Sequence, residues 1–351
     1  MKQFKRFGFA LLGVLFLVSC SNDDDTTEII TGDYANGILI TNEGPFNNGT
    51  GTLSFIPQDL SQIENEVYQG VNDEELGNIV QSLGFAGDDA YVVVNNSNRI
   101  VVADRYTLEN TATIEEGQLQ PRAFAGTNDK GFVTNWGDPY DNDDDFVSVI
   151  DLDSKTVTGE IPVDFGPEKI LYNGTYIYVA HQGGYGQNNL ISVIDPTDET
   201  VVKTITVAYS PNSMVISGNT LWVLCGGKPS YADEETAGEL VKIDMTTNEV
   251  TLNLAFGVTD HPSNLTAAGS NMFYTLNGGV YQTTVSTQAL PDTAAFEGSF
   301  YSLTAHDGYL FGTDAGDYAS RGSVIIFDIT NFNQVQTFTA GIIPGGVYFN
   351  D

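Results

Sequence analysis

The chain is expected to fold as an all-β, seven-bladed β-propeller of four-stranded antiparallel blades, the first blade closed by the C-terminal strand. Three observations predict this. A Pro-x-x-apolar anchor opens a unit at 121–124, 167–170, 211–214, 262–265 and 344–347, and the same slot is filled without proline at 80–83 and 300–303. The seven starts are 41, 46, 44, 51, 38 and 44 residues apart, which is the period of a four-stranded propeller blade. In most units the anchor is followed, in fixed order, by an aromatic strand after a turn and by an apolar strand ending in aspartate.

The stretch 166–209 shows the unit most clearly. A proline leads into an apolar run that stops at the Asn173-Gly174 turn, then come IYVAH, a glycine-rich loop, ISVID, a polar turn and TVVKTITV. The aromatic strand recurs as AYVVV, GFVTN, LWVLC and MFYTL. Asp104, Asp151, Asp195, Asp244 and Asp328 each precede a turn whose backbone N–H groups their carboxylates can accept, a local stop signal. The unit 262–298 lacks that aspartate. Near the start of the chain, 38–41, 53–56 and 63–68 read as three strands with no anchor strand before them, and 344–349 is expected to supply it. A lone sheet has two edges to hide, so a ring whose ends share one blade is the consistent solution. Residues 34–351 therefore read as one domain.

The first 19 residues have the layout of a lipoprotein signal peptide. Lys2, Lys5 and Arg6 precede the apolar run 7–18, and Leu17-Val18-Ser19-Cys20 resembles a bacterial lipobox, with Cys20 as the lipidated residue. Residues 20–33 then form a tether, with the acidic run 21–25 resembling the surface-export signal of Bacteroidota lipoproteins. The expected location is the cell outer membrane, lipid-anchored and facing the exterior. With Cys20 consumed by lipid, Cys225 is left without a disulfide partner and reads as buried packing.

The formal charge is −33, although only 17% of residues are charged. Such acidity argues against nucleic acid or an anionic membrane surface as partner. No Ser/His/Asp order, GxSxG elbow, HExxH or zinc spacing occurs, so neither an enzyme nor a cofactor is expected.

Because successive strands are antiparallel, the second residue of each anchor is expected around one mouth of the central channel: Gln81, Arg122, Glu168, Asn212, Ser263, Tyr301 and Gly345. The longer loops surround the same mouth. They carry Phe46, Asn96, Trp136, Tyr140, His181, Tyr185, Tyr231 and Tyr318, whereas the turns of the other face are short. Ring-bearing side chains crowded on one rim read as an amphipathic platform for a small molecule. The expected ligand-binding set is Phe46, Asn96, Arg122, Trp136, Tyr140, Glu168, His181, Tyr185, Asn212, Tyr231, Tyr301 and Tyr318. Asp141, Asp143 and Asp145 alternate oxygen donors as a calcium loop does, but the glycine and glutamate of an EF-hand are absent, so a solvated insertion is the preferred reading.

The repeats GTYIYVAHQGGYGQNNLISVID, NTLWVLCGG and GFVTNWGDP resemble the YncE or YVTN type of seven-bladed propeller over 34–351. With the lipobox and acidic tether, ILITNEG, VVNNSNRIVVAD and HQGGYG also resemble Bacteroidota surface lipoproteins of the BtuG type. That resemblance implies capture of a corrinoid such as cobalamin and its delivery to a TonB-dependent outer-membrane transporter. Two alternatives stay open: an interaction scaffold of an outer-membrane complex without a small-molecule ligand, and a propeller lactonase or hydrolase.

Overall fold

The computed structural model describes residues 32–46, 49–138 and 140–350. Signal peptide, Cys20 and acidic run lie outside the described residues. Seven four-stranded antiparallel sheets follow one another around a channel. Blade 1 has the strand order Pro344–Asn350, Gly37–Asn42, Thr52–Pro57, Glu64–Asn65, counted outward from the channel. Blades 2 to 7 take 80–114, 121–162, 167–206, 211–255, 263–297 and 302–342 in chain order.

The composition of each strand follows from its depth in the blade. Second strands are pressed between neighbouring blades on both faces, so they are apolar without alternation. Ile177–His181 (IYVAH) and Thr220–Cys225 (TLWVLC) are buried over nearly their whole length. Outermost strands have one face in solvent and alternate, as Thr200–Thr206 (TVVKTIT) does. The cores are accordingly interblade: one cluster joins Tyr178 and Val193 of blade 4 to Met214, Val223 and Val241 of blade 5. The predicted aspartate stops are present. The Asp104 carboxylate accepts the N–H groups of Tyr106 and Thr107 at 2.9 and 2.8 Å, and Asp195 and Asp244 accept those of Thr197 and Thr246 at 2.8 and 2.7 Å.

One expected element is different. The strand predicted over 63–68 is only Glu64–Asn65, after which Val67–Asn72 forms a short helix. Glu66 turns left-handed (φ 61°) and swings Val67 and Tyr68 inward, where both are buried. Asn110 Nδ2 donates to Tyr68 Oη at 2.6 Å, and Asn72 Nδ2 donates to Leu108 O at 2.8 Å. The outer edge of blade 1 is thus sealed by a helix bonded to blade 2.

The closure carries the fold's long-range connectivity. Pro344–Asn350 pairs with Gly37–Asn42 along their lengths, from Gly37 opposite Asn350 to Asn42 opposite Pro344. Asn350 is fully buried. Its Nδ2 donates to Tyr34 O at 2.7 Å and to Arg105 O at 2.6 Å, while its Oδ1 accepts Arg105 Nε. One amide therefore ties the C-terminus to the incoming segment and to blade 2. Asn350→Ala removes these bonds and strands the buried Tyr34 carbonyl and the half-buried Arg105 carbonyl, at a cost of about 2–4 kcal/mol. Urea denaturation should show a lower midpoint with an unchanged slope.

Candidate functional site

Inner strands start where the loops between second and third strands end, so both surround the same mouth. The channel encloses about 690 Å³, and its lining includes Gln81, Arg122, Glu168, Asn212, Ser263, Tyr301 and Gly345, the predicted residue from every blade. Inner strands carry register shifts near their starts, between Val80 and Ser82, Pro167 and Lys169, and Pro211 and Ser213. Such bulges re-aim side chains. Here Lys169 lines the channel beside Glu168, and Glu43 and Gln182 line it as well. The lining thus includes two cations, Arg122 and Lys169, and two carboxylates, Glu168 and Glu43. Sequence reasoning missed Glu43 as a channel residue because the inner strand of its blade comes from the other end of the chain.

Blades 3 and 4 build a sector of linked side-chain contacts. Arg122 Nε and Nη2 donate to the two Glu168 oxygens, both at 2.9 Å, with only 13% and 10% of these side chains exposed. Burial works against the Glu168 carboxylate, but Arg122, with help from Lys169, holds it below its ordinary range. The Arg122 Cζ lies 4.0 Å from the centre of the Trp136 ring. Trp136 meets Tyr185 edge to face at 5.9 Å, and Tyr185 stacks near Tyr140 at 6.4 Å. An ion pair, an indole and two phenols thus form one continuous run of contacts from the channel wall to the rim. The stack is fixed by a close backbone approach: Gly166 has φ +68°, and a Cβ there would lie 2.3 Å from Gly183.

Across the mouth, Tyr301 Oη donates to Glu43 Oε1 at 2.8 Å, and Tyr301 meets Tyr318 at 5.9 Å and 78°. Burial raises Glu43 above its usual range, opposed by the Tyr301 bond and by Arg122. Phe46, Tyr231 and Tyr140 stand out from the loops, the last two 86% and 92% exposed. Asn96 lies on the same rim and donates to Asn78 Oδ1. Asn212 turns toward blade 6 and donates to Pro262 O at 2.9 Å.

One expectation is corrected. His181 is fully buried and is not a rim residue. Its Nε2 bonds Ser192 Oγ at 2.9 Å. Asn42 and Asn135 end their second strands in the same position and donate to Ser54 Oγ and Ser148 Oγ, so His181 fills a structural slot of the repeat. Burial pushes its pKa down to about 4. The native state then binds this proton less readily than the unfolded chain, whose histidine titrates near 6.5. Stability contributed by the neutral ring is intact above pH 6.5 and declines as pH falls toward 4, by up to about 3 kcal/mol. His181→Asn should keep the fold and flatten that decline, measured by denaturation at stepped pH.

The acidic loop, expected as a solvated insertion, has one buried member. Among the described residues no three carboxylate, histidine or cysteine side chains converge on a metal position. Asp141 Oδ1 accepts the Asp143 N–H at 3.0 Å, Asp143 is exposed, and Asp145 Oδ1 accepts the Gly166 N–H at 2.9 Å. Asp145 is buried, and desolvation with crowding by Asp144 and Asp164 pushes it up to about 7. It is a fastener between blades 3 and 4. Cys225 is buried, and that burial pushes its thiol up, which suits packing and not nucleophilic chemistry.

This geometry defines a class: a seven-bladed propeller whose channel mouth is walled by paired charges and amides and rimmed by aromatic loops on one face. Residues 36–306 match the family described as a domain of unknown function, DUF5074, and the chain belongs to that family. No curated protein matches it. Among solved structures, a functionally unknown protein from Desulfotomaculum acetoxidans is 13% identical, with a TM-score of 0.64 over 90% of this chain and 99% of that one. BamB from Moraxella catarrhalis is 14% identical, with a TM-score of 0.56 over 91% and 90%. Hydrazine synthase from Kuenenia stuttgartiensis is 19% identical, with a TM-score of 0.56 over 76% and 91%. Identities this low establish shared fold alone.

Proposed function

We propose that this protein is a non-enzymatic binding protein of the outer-membrane surface. Its aromatic rim captures a small amphipathic nutrient, a corrinoid being the leading candidate, and presents it to a TonB-dependent transporter. The observation that carries the reading is the Arg122–Trp136–Tyr185 stack at the channel mouth. A pre-built ladder of ring faces beside amides offers stacking and edge hydrogen bonds together, and its rigidity keeps the ordering cost of binding low. Calorimetry of cyanocobalamin against the intact protein and a Trp136→Ala variant tests the site, and equal affinity for both would reject it.

A second reading, a docking scaffold without a small ligand, is favoured by the extreme exposure of Tyr140 and Tyr231. It predicts that an outer-membrane partner is retained on co-purification when Trp136 is replaced but lost when Tyr140 and Tyr231 are.

A further inference from the structure

The rim carries a second constellation, on the far side of the mouth from Trp136. In a sevenfold ring, blade 7 lies half a circuit from the boundary of blades 3 and 4. There a cavity of about 270 Å³ opens between blades 6 and 7, and its lining includes Ser263, Asn264, Tyr301, Asp314 and Tyr318.

Two of its walls are tyrosine rings set nearly at right angles, 78° apart with centres separated by 5.9 Å. A third group is the Asp314 carboxylate, whose Oδ1 accepts the Gly316 N–H at 2.8 Å. Behind Tyr301 stands a second carboxylate, Glu43, bonded to its hydroxyl. No lysine or arginine is among the lining residues. Tyr318 is held in place by its loop: it is left-handed (φ 60°), its N–H donates to Ala315 O at 3.0 Å, and its ring remains 57% exposed.

The chemistry of these walls selects by charge. Aromatic faces carry negative potential, and two perpendicular rings that line one cavity with a carboxylate form an open corner that attracts a cation. An anion would face the Asp314 carboxylate with no cationic side chain among the lining residues to offset it. A neutral apolar group would desolvate Asp314 and return nothing for it. A bare metal ion lacks its ligand set, since no three such groups converge among the described residues. The formal charge of −33 adds a long-range pull on any cation. We propose that the Tyr301–Tyr318–Asp314 corner is a subsite for an organic cation, an alkylated or quaternary ammonium group. The proposal rests on the reading of this face as a small-molecule surface, but uses none of the Trp136 sector.

The test compares choline with its uncharged isostere, 3,3-dimethylbutan-1-ol, each titrated into the intact protein and followed by NMR shifts of the loop 314–320. Choline is expected to bind saturably and at least ~10-fold more tightly than the isostere. Tyr318→Leu, which keeps apolar bulk but loses the ring, and Asp314→Asn should each weaken choline by roughly 5-fold or more. Trp136→Ala should leave choline binding unchanged. Equal affinity for the two probes, or no saturable binding of choline, overturns the assignment, and neither result depends on a variant folding. If choline fails while Trp136→Ala weakens the corrinoid, this proposal falls alone. If choline binds as expected while Trp136→Ala leaves corrinoid affinity intact, the fault lies with the Trp136 site.

Discussion

Deleting Pro344–Asp351 is expected to abolish the cooperative unfolding transition of the propeller. The deletion removes the inner strand of blade 1 and with it all the pairing from Asn42 through Gly37. Val347 leaves the cluster it shares with Ile38, Phe311 and Ile326, so blades 1 and 7 lose their common core. Asn350 no longer joins Tyr34 to Arg105. A propeller opened at its seam exposes the inner edges of a sheet, which invites association. Burying one large apolar side chain is worth roughly 2 kcal/mol and marginal stability is ~5–15 kcal/mol, so losing a strand consumes most of the margin. Calorimetric scans should show a broad or absent transition in the truncated chain. A sharp transition within a few degrees of the full-length protein would contradict the closure.

Trp136→Ala is expected to lower affinity for the rim's ligand by about 100-fold, the scale of a central aromatic anchor. The indole covers the Arg122 guanidinium on one side and meets Tyr185 on the other. Its removal takes away a contact surface and also lets both neighbours relax, so pre-organisation is lost with the ring. The fold should tolerate the change, because Trp136 lies in the loop beyond its strand, Lys130–Asn135, which remains anchored by Asn135 and Ser148. Matching melting curves with divergent binding isotherms would separate the two effects.

The ring was legible from the sequence because each blade repeats the same physical problem. A strand pressed between two neighbours must be apolar, and the turn after the third strand needs an acceptor, so AYVVV, IYVAH and LWVLC recur on schedule with Asp104, Asp195 and Asp244. The pairing of Arg122 with Glu168 was within reach too, as both follow an anchor proline one blade apart. Three features were not. The helix at Val67–Asn72 depends on Glu66 turning left-handed and on Asn110, far along the chain, meeting Tyr68. Bulges at the starts of the inner strands decide which side chains face the channel, and Lys169 gives no local sign of one. His181 misled because histidine in a glycine-rich context suggests a ligand. Aligning the repeats would have set it in the column of Asn42 and Asn135, where the side chain turns inward to a serine.

The central claim, that one face of the ring is a small-molecule platform, is tested most directly by hydrogen–deuterium exchange on the intact protein with and without cyanocobalamin. The account predicts slowed exchange in the loops 136–145 and 182–189, with no change in the opposite-face turns at Asn173-Gly174, Ser217-Gly218 and Asp307-Gly308. Protection confined to those turns, or none anywhere at a concentration that saturates binding, would contradict it.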